Sequence, residues 1–160
     1  MFSPDAVRQI IRIALQPITA TRHPLYSPEA EELLLMIAAH ESLLGRHLVQ
    51  LGGGPGRGLF QVEVGTMSDN YVNYIAGRAD LARQIREVSG VHLPGEMHLT
   101  YNPLFGAIMA RIWLYRRPGA LPPAHDVPAM AVYAKEHYNI TGAAIADSYV
   151  IAYHNFVLAA

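Results

Sequence analysis

From Leu33 to His40 the chain reads LLLMIAAH, seven apolar residues in a row and then a histidine. The preceding stretch, SPEAEE from Ser27 to Glu32, carries the signals of a helix start. Ser27 can cap with its hydroxyl, Pro28 takes the first helical position, and Glu29, Glu31 and Glu32 fall where the helix dipole favours anions. A helix that is apolar on every side has no face to give to water, so other elements must enclose it. The remainder of the chain must therefore wrap a central helix. With 160 residues, 51% of them hydrophobic, there is enough material to do so.

The wrapping elements are expected to be helices too. Ser3-Pro4-Asp5 opens one whose buried stripe is Val7, Ile10, Ile11, Ala14 and Leu15, with Pro17 as its stop. Thr66 is expected to start another, with Asp69 as its capping-box partner. Leu81, Ile85 and Val88 mark a helix ended by Gly90. Asn102-Pro103 starts one carrying Leu104, Ile108, Ile112 and Tyr115, closed by Arg116, Arg117, Pro118 and Gly119. Two more are expected at about 128–138, capped by Asp126, and at about 142–157. The second of these has Ile145, Tyr149, Ala152 and Phe156 on one face. Residues 43–62 break the helical period, and Leu48, Val49 and Leu51 suggest a small hairpin or extended lobe around 46–62. No repeat, low-complexity tract or linker divides the chain. The reading is one mostly α domain over residues 1–160.

Twelve basic residues against thirteen acidic ones give a net charge of −1, so no basic field points to nucleic acid or to an anionic membrane. The absence of cysteine removes disulfide and thiolate chemistry. In the opening MFSPDAVRQIIRIALQP, Asp5, Arg8 and Arg12 interrupt the apolar residues, which does not fit a signal peptide. No later stretch reaches the roughly 18 apolar residues of a membrane span. The expectation is a product made in the cytoplasm, monomeric and without stable membrane insertion.

Behind the apolar run comes ESLLGRHLVQLGGGPGRGLFQVE, from Glu41 to Glu63. Its glycines do not form a phosphate loop. That motif needs Gly-Lys-Ser/Thr opening a helix, and here Arg57-Gly58-Leu59 follows. GxGxxG fails in every register and no βαβ unit surrounds it. The loop reads as a turn between short strands, or as bare backbone that a bulky ligand can approach closely. His40-Glu41 looks like the start of a zinc HExxH motif, but the next ligand position is Leu44, and no metal is expected.

Glu41 stands out. It ends the apolar helix, where burial disfavours the carboxylate and the negative end of the helix dipole pushes the same way. Both raise its pKa, and a carboxyl still protonated near pH 6 can protonate a leaving oxygen. The alternative is a solvated acid at a helix end.

The order Glu41-Ser42, Gly58-Leu59-Phe60-Gln61 and Tyr138-Asn139 with Gly142 resembles the lysozyme-like superfamily, in its lytic transglycosylase and goose-type lysozyme branch. Small phage proteins that degrade cell walls belong there. The resemblance implies a lysozyme-like fold over most of the chain and cleavage of the MurNAc–GlcNAc β-1,4 bond of peptidoglycan, without a cofactor. It makes Glu41 the catalytic acid, with Ser42, Gly58, Phe60 and Gln61 beside it on the cleft wall and Tyr138 and Asn139 across from it. Two residues separate Asn139 from Gly142, where the family has one. Tyr133 and Tyr138 are either sugar contacts or ordinary helix packing, since aromatic faces serve both uses.

Glu63 is the expected second acid if the enzyme is a hydrolase. In a strand it shares a face with Gln61, and two-carboxylate mechanisms need about 5–9.5 Å between the groups. It also reads as a solvated acid ahead of a helix, which favours the single-glutamate transglycosylase route. Without a signal peptide, the protein would act on the wall as an endolysin released through a pore, or as a lysin carried in a phage virion. The rivals are an inactive lysozyme-like virion adaptor and a chitinase-like or chitosanase-like hydrolase.

Overall fold

The computed structural model describes residues 1–159. Among them are eight α-helices and one two-stranded antiparallel sheet, so the chain is mostly helical. Helices α1 (Pro4–Leu15) and α2 (Pro28–Ser42) begin as their sequences demand: Ser3 Oγ accepts from Ala6 N at 3.2 Å and Ser27 Oγ from Ala30 N at 3.2 Å. Every side chain from Leu33 to Ala39 is fully buried, and α2 is the enclosed helix its composition requires. Helix α6 (Pro103–Tyr115) is a second central element, capped by Asn102, whose apolar side chains from Phe105 to Ile112 are also fully buried. Around these two lie α1, α3 (Val64–Asn70), α4 (Ala79–Ser89), α7 (Val127–His137) and α8 (Ala146–Tyr153). One hydrophobic cluster runs through them from Val7 to Val157.

The small lobe consists of β1 (Gly56–Arg57) paired with β2 (Val62–Glu63), and Val49 bridges to Arg57. A short helix, α5 (Glu96–Tyr101), packs against it. Gly58 has φ +74, and a Cβ there would lie 1.9 Å from the Leu99 carbonyl oxygen. Only glycine allows the lobe to seat on α5.

Three details differ from expectation. The helix expected to start at Thr66 starts at Val64, with Glu63 in the cap position. Asp69 does not cap Thr66; it accepts from Arg116 Nη1 at 2.5 Å and Asn73 Nδ2 at 2.5 Å. A tertiary cation outcompetes the local bond. The last helix opens at Ala146 instead of 142, and Ile145 is left 63% exposed before it. Two five-residue π-helical turns, Tyr71–Ile75 and His154–Leu158, extend α3 and α8. Among the described residues no helix is long and apolar enough to cross a membrane.

Candidate active site

Helix α2 stops abruptly. Leu43 and Leu44 both have positive φ, 51° and 54°, and Gly45 follows at 82°. Left-handed backbone is costly for leucine, so something must hold it. Ser42 does so: its fully buried hydroxyl donates to Leu59 O at 2.6 Å and accepts from Gly45 N at 2.8 Å. Ser42 thus ties the helix end to the lobe and has no exposure with which to touch a ligand.

This tie aims Glu41 into a cleft between α2, the lobe and the segment after α7. The cleft is also lined by Gln61, Glu63, Trp113, Tyr138 and Asn139. Glu41 is 14% exposed, and its two oxygens are treated differently. Oε1 accepts from the Tyr149 hydroxyl, from Asn139 Nδ2 at 3.3 Å and lies 3.2 Å from His40 Nδ1. Among the described residues no donor reaches Oε2. One oxygen is anchored and the other is left for a ligand.

The anchoring groups are themselves fixed. His40 stacks on the Tyr149 ring with centroids 3.8 Å apart, and its Nε2 lies 2.9 Å from Ser148 Oγ. Asn139 is held through its backbone, whose carbonyl accepts from Lys135 Nζ at 2.7 Å, as does that of Gly142 at 2.8 Å.

The electrostatic expectation for Glu41 is corrected. Burial is the largest single influence and pushes its carboxyl up. The bonds from His40, Tyr149 and Asn139 act the other way, and together they hold it below the ordinary carboxylate value. Glu41 is therefore a carboxylate at neutral pH.

Gln61 sits at φ +49 and is 8% exposed. Its Nε2 donates to Gly58 O at 2.8 Å and His47 O at 3.0 Å, and its Oε1 is buried without a partner. Asn139 Oδ1 is likewise buried without one. Both residues line the cleft, so each brings a buried, unpartnered amide oxygen into its wall, against Gly56 and Gly142 respectively. The Tyr138 hydroxyl donates to Phe60 O at 2.7 Å, closing the cleft floor. Burial, then the charges of Glu41 and Glu63, drive that phenol well above its ordinary range, so it remains a donor.

Not every residue expected at the site is at its surface. Phe60 is fully buried, and its ring serves the core while its carbonyl serves Tyr138. Gly58 acts through the close approach to α5. Tyr133 lies elsewhere, packed on His137 with ring centroids 4.4 Å apart and lining a separate pocket. Glu63 does line the cleft, exposed and without an ion-pair partner among the described residues. No three metal-ligand side chains converge among the described residues.

Residue-by-residue reading missed His40, Tyr149, Ser148 and Trp113 as site residues. Tyr149 stood in the sequence only as a helix-face residue, and its contact with Glu41 spans 108 positions. His40 was weighed only as a metal ligand. Trp113, the one tryptophan, lines the cleft while its Nε1 donates to His137 O at 3.1 Å. No protein-family model, no curated protein and no solved structure matches this chain.

Proposed function

We propose that this chain cleaves the β-1,4 bond between MurNAc and GlcNAc in peptidoglycan, on a lysozyme-like scaffold, with Glu41 as acid and then base. The observation that carries the reading is the uneven holding of Glu41 in the cleft wall: Oε1 takes every donor and Oε2 takes none among the described residues. The shared location of Glu41, Gln61, Tyr138 and Asn139 supports it, because these residues come from all three motifs that carry the resemblance.

Glu41 must be protonated to act as an acid, and the donors on Oε1 oppose this. A sugar seated over the cleft covers the remaining exposed surface, and further desolvation acts on a carboxyl in one direction, upward. Substrate cover therefore moves Glu41 toward the acid form. Oε2 gives its proton to the bridging O4 as the C1–O4 bond breaks. The muramyl 6-hydroxyl then bonds to C1 and returns its proton to Glu41. The product is a 1,6-anhydro-muropeptide, one water lighter than the hydrolytic product.

Glu63 keeps a second reading open, since it lines the same cleft and could direct a water in a hydrolase. Digestion of purified peptidoglycan, with mass analysis of the soluble fragments, separates these. Anhydro ends support the single-acid route and reducing ends support Glu63 as second acid. An intact wall refutes cleavage and leaves a lysozyme-like adaptor of a phage particle. The cellular setting belongs with the same proposal: a monomer made in the host cytoplasm that reaches the wall by lysis or in a virion.

A further inference from the structure

A second pocket, of about 790 Å³, shares no lining residue with the cleft. It lies between the segment before α2, the end of α6 and α7. The charged groups on its wall are Arg22, Arg78, Arg111 and Arg117 against the single carboxylate of Glu29, with His23 beside them. None of these four arginines has an ion-pair partner among the described residues, whereas Arg8, Arg12, Arg57, Arg83 and Arg116 each have one.

Arg111 is the telling member. It is 6% exposed, yet its only hydrogen bond among the described residues is from Nε to Leu25 O at 2.7 Å. A buried cation without a carboxylate is costly. Burial pulls its guanidinium below the usual arginine range. Arg111 lines the pocket, and its terminal nitrogens make no hydrogen bond among the described residues. Arg117 shows the same pattern, with Nε buried and unpartnered and the guanidinium 3.6 Å above the Trp113 ring. Arg78 lies over Tyr74, 4.1 Å from its centroid, and its Nη1 donates to the Tyr74 carbonyl at 2.6 Å.

The uncharged groups point the same way. The Tyr115 oxygen accepts from His23 N at 2.9 Å, so its own proton is left to donate. Tyr74 and Tyr133 line the pocket with hydroxyls that make no hydrogen bond among the described residues. Glu29, the one opposing charge, is held below the ordinary carboxylate value by its backbone amide and then by Ser27 at the start of α2. Donors and positive charge converge on one volume with little to accept from them.

We infer that this pocket binds a phosphate group, with Arg111 and Arg117 as its inner donors and Arg22 and Arg78 at its rim. A phosphate oxyanion accepts several charge-assisted bonds at once, and none of these four guanidinium groups has an anionic partner among the described residues. The inference stands apart from the cleft chemistry.

The test is a phosphorus NMR titration of the intact protein with inorganic phosphate, against chloride at matched ionic strength. Saturable binding is expected. Arg111→Gln is the direct variant, but its Leu25 bond also supports the fold. Arg78→Gln/Arg117→Gln is therefore measured alongside and should weaken binding at least about tenfold. Glu29→Gln should tighten it by about threefold. Phosphatidylglycerol vesicles separate the sources: co-sedimentation competed by free phosphate puts the group on a lipid, and phosphate binding without co-sedimentation puts it on a free or polymer-borne phosphate. No saturable response in the wild type, or undiminished binding in the double variant, overturns the inference.

Discussion

The two ends of helix α2 both carry glutamates that are largely buried, and they treat them in opposite ways. At the N-terminal end Glu31 takes Arg12 through both oxygens, at 2.7 and 2.6 Å, and the Tyr26 hydroxyl at 2.8 Å. Beside it Glu32 takes Arg8 through both oxygens, at 2.8 and 3.2 Å, and the Tyr153 hydroxyl at 2.6 Å. At the C-terminal end Glu41 has no guanidinium, and its donors crowd onto one oxygen. A carboxylate gripped by a forked cation on both oxygens is structural and chemically quiet. One held from a single side keeps its position and a free lone pair. The same side chain on one helix is gripped through both oxygens at one end and through one at the other.

The largest test of this contrast is Glu41→Gln. Cleavage of purified peptidoglycan should fall at least about a hundredfold, while the melting temperature stays near that of the wild type. Near-normal cleavage by the mutant would end the assignment of Glu41. The converse change, Glu32→Ala, removes the Arg8 fork and the Tyr153 bond. It should cost about 2 kcal/mol in denaturant unfolding and leave the activity per folded molecule unchanged. A large loss of activity at full folding would erase the distinction between the ends.

Smaller effects sharpen it. Tyr149→Phe keeps the stack on His40 and deletes a donor to the ionised carboxyl. Losing that donor raises the Glu41 pKa, and under the proposed mechanism the acid form is the active one. The fall of kcat/KM with rising pH should therefore move about one pH unit upward. An unmoved limb would mean that Tyr149 does not tune Glu41. Stability follows the same sign. Because folding depresses this carboxyl, its contribution is present above the ordinary carboxylate value and lost as pH falls through the folded-state value. Urea unfolding of Glu41→Gln should consequently vary less on the acid side. Smallest of all, Glu63→Gln should retain most of the activity if the single-acid route operates, and an inactive mutant that folds would make Glu63 the second acid.

What could be read from the sequence were the features with local causes. Ser3-Pro4, Ser27-Pro28, Asn102-Pro103 and Asp126 announce their helices because a cap acts over three residues, and all four cap in the structure. The buried α2 was legible because its composition admits no other place. By contrast, α5 has only six residues and shows no stripe. The end of α2 uses leucines where glycine would signal a left-handed turn, and the compensating Ser42–Leu59 bond crosses 17 positions. Tyr133 and Tyr138 fall five apart on or beside α7, which turns them to different faces, so one reaches the cleft and the other does not. The direction of the Glu41 shift was misjudged for the same reason. Burial and dipole are readable along one helix, while two of the opposing donors arrive from 98 and 108 positions away.

That separation also sets the order in which a newly made chain acquires its site. Synthesis runs from the N-terminus, so α2 and the lobe can emerge and dock before Asn139 and Tyr149 exist. Until then only the neighbouring His40 is at hand to hold one oxygen of Glu41. The long loop must close before those contacts reward it, and closure waits on α8 settling against α2. The carboxylate is written early in the chain and fixed late, by a tyrosine that the ribosome adds 108 residues afterwards.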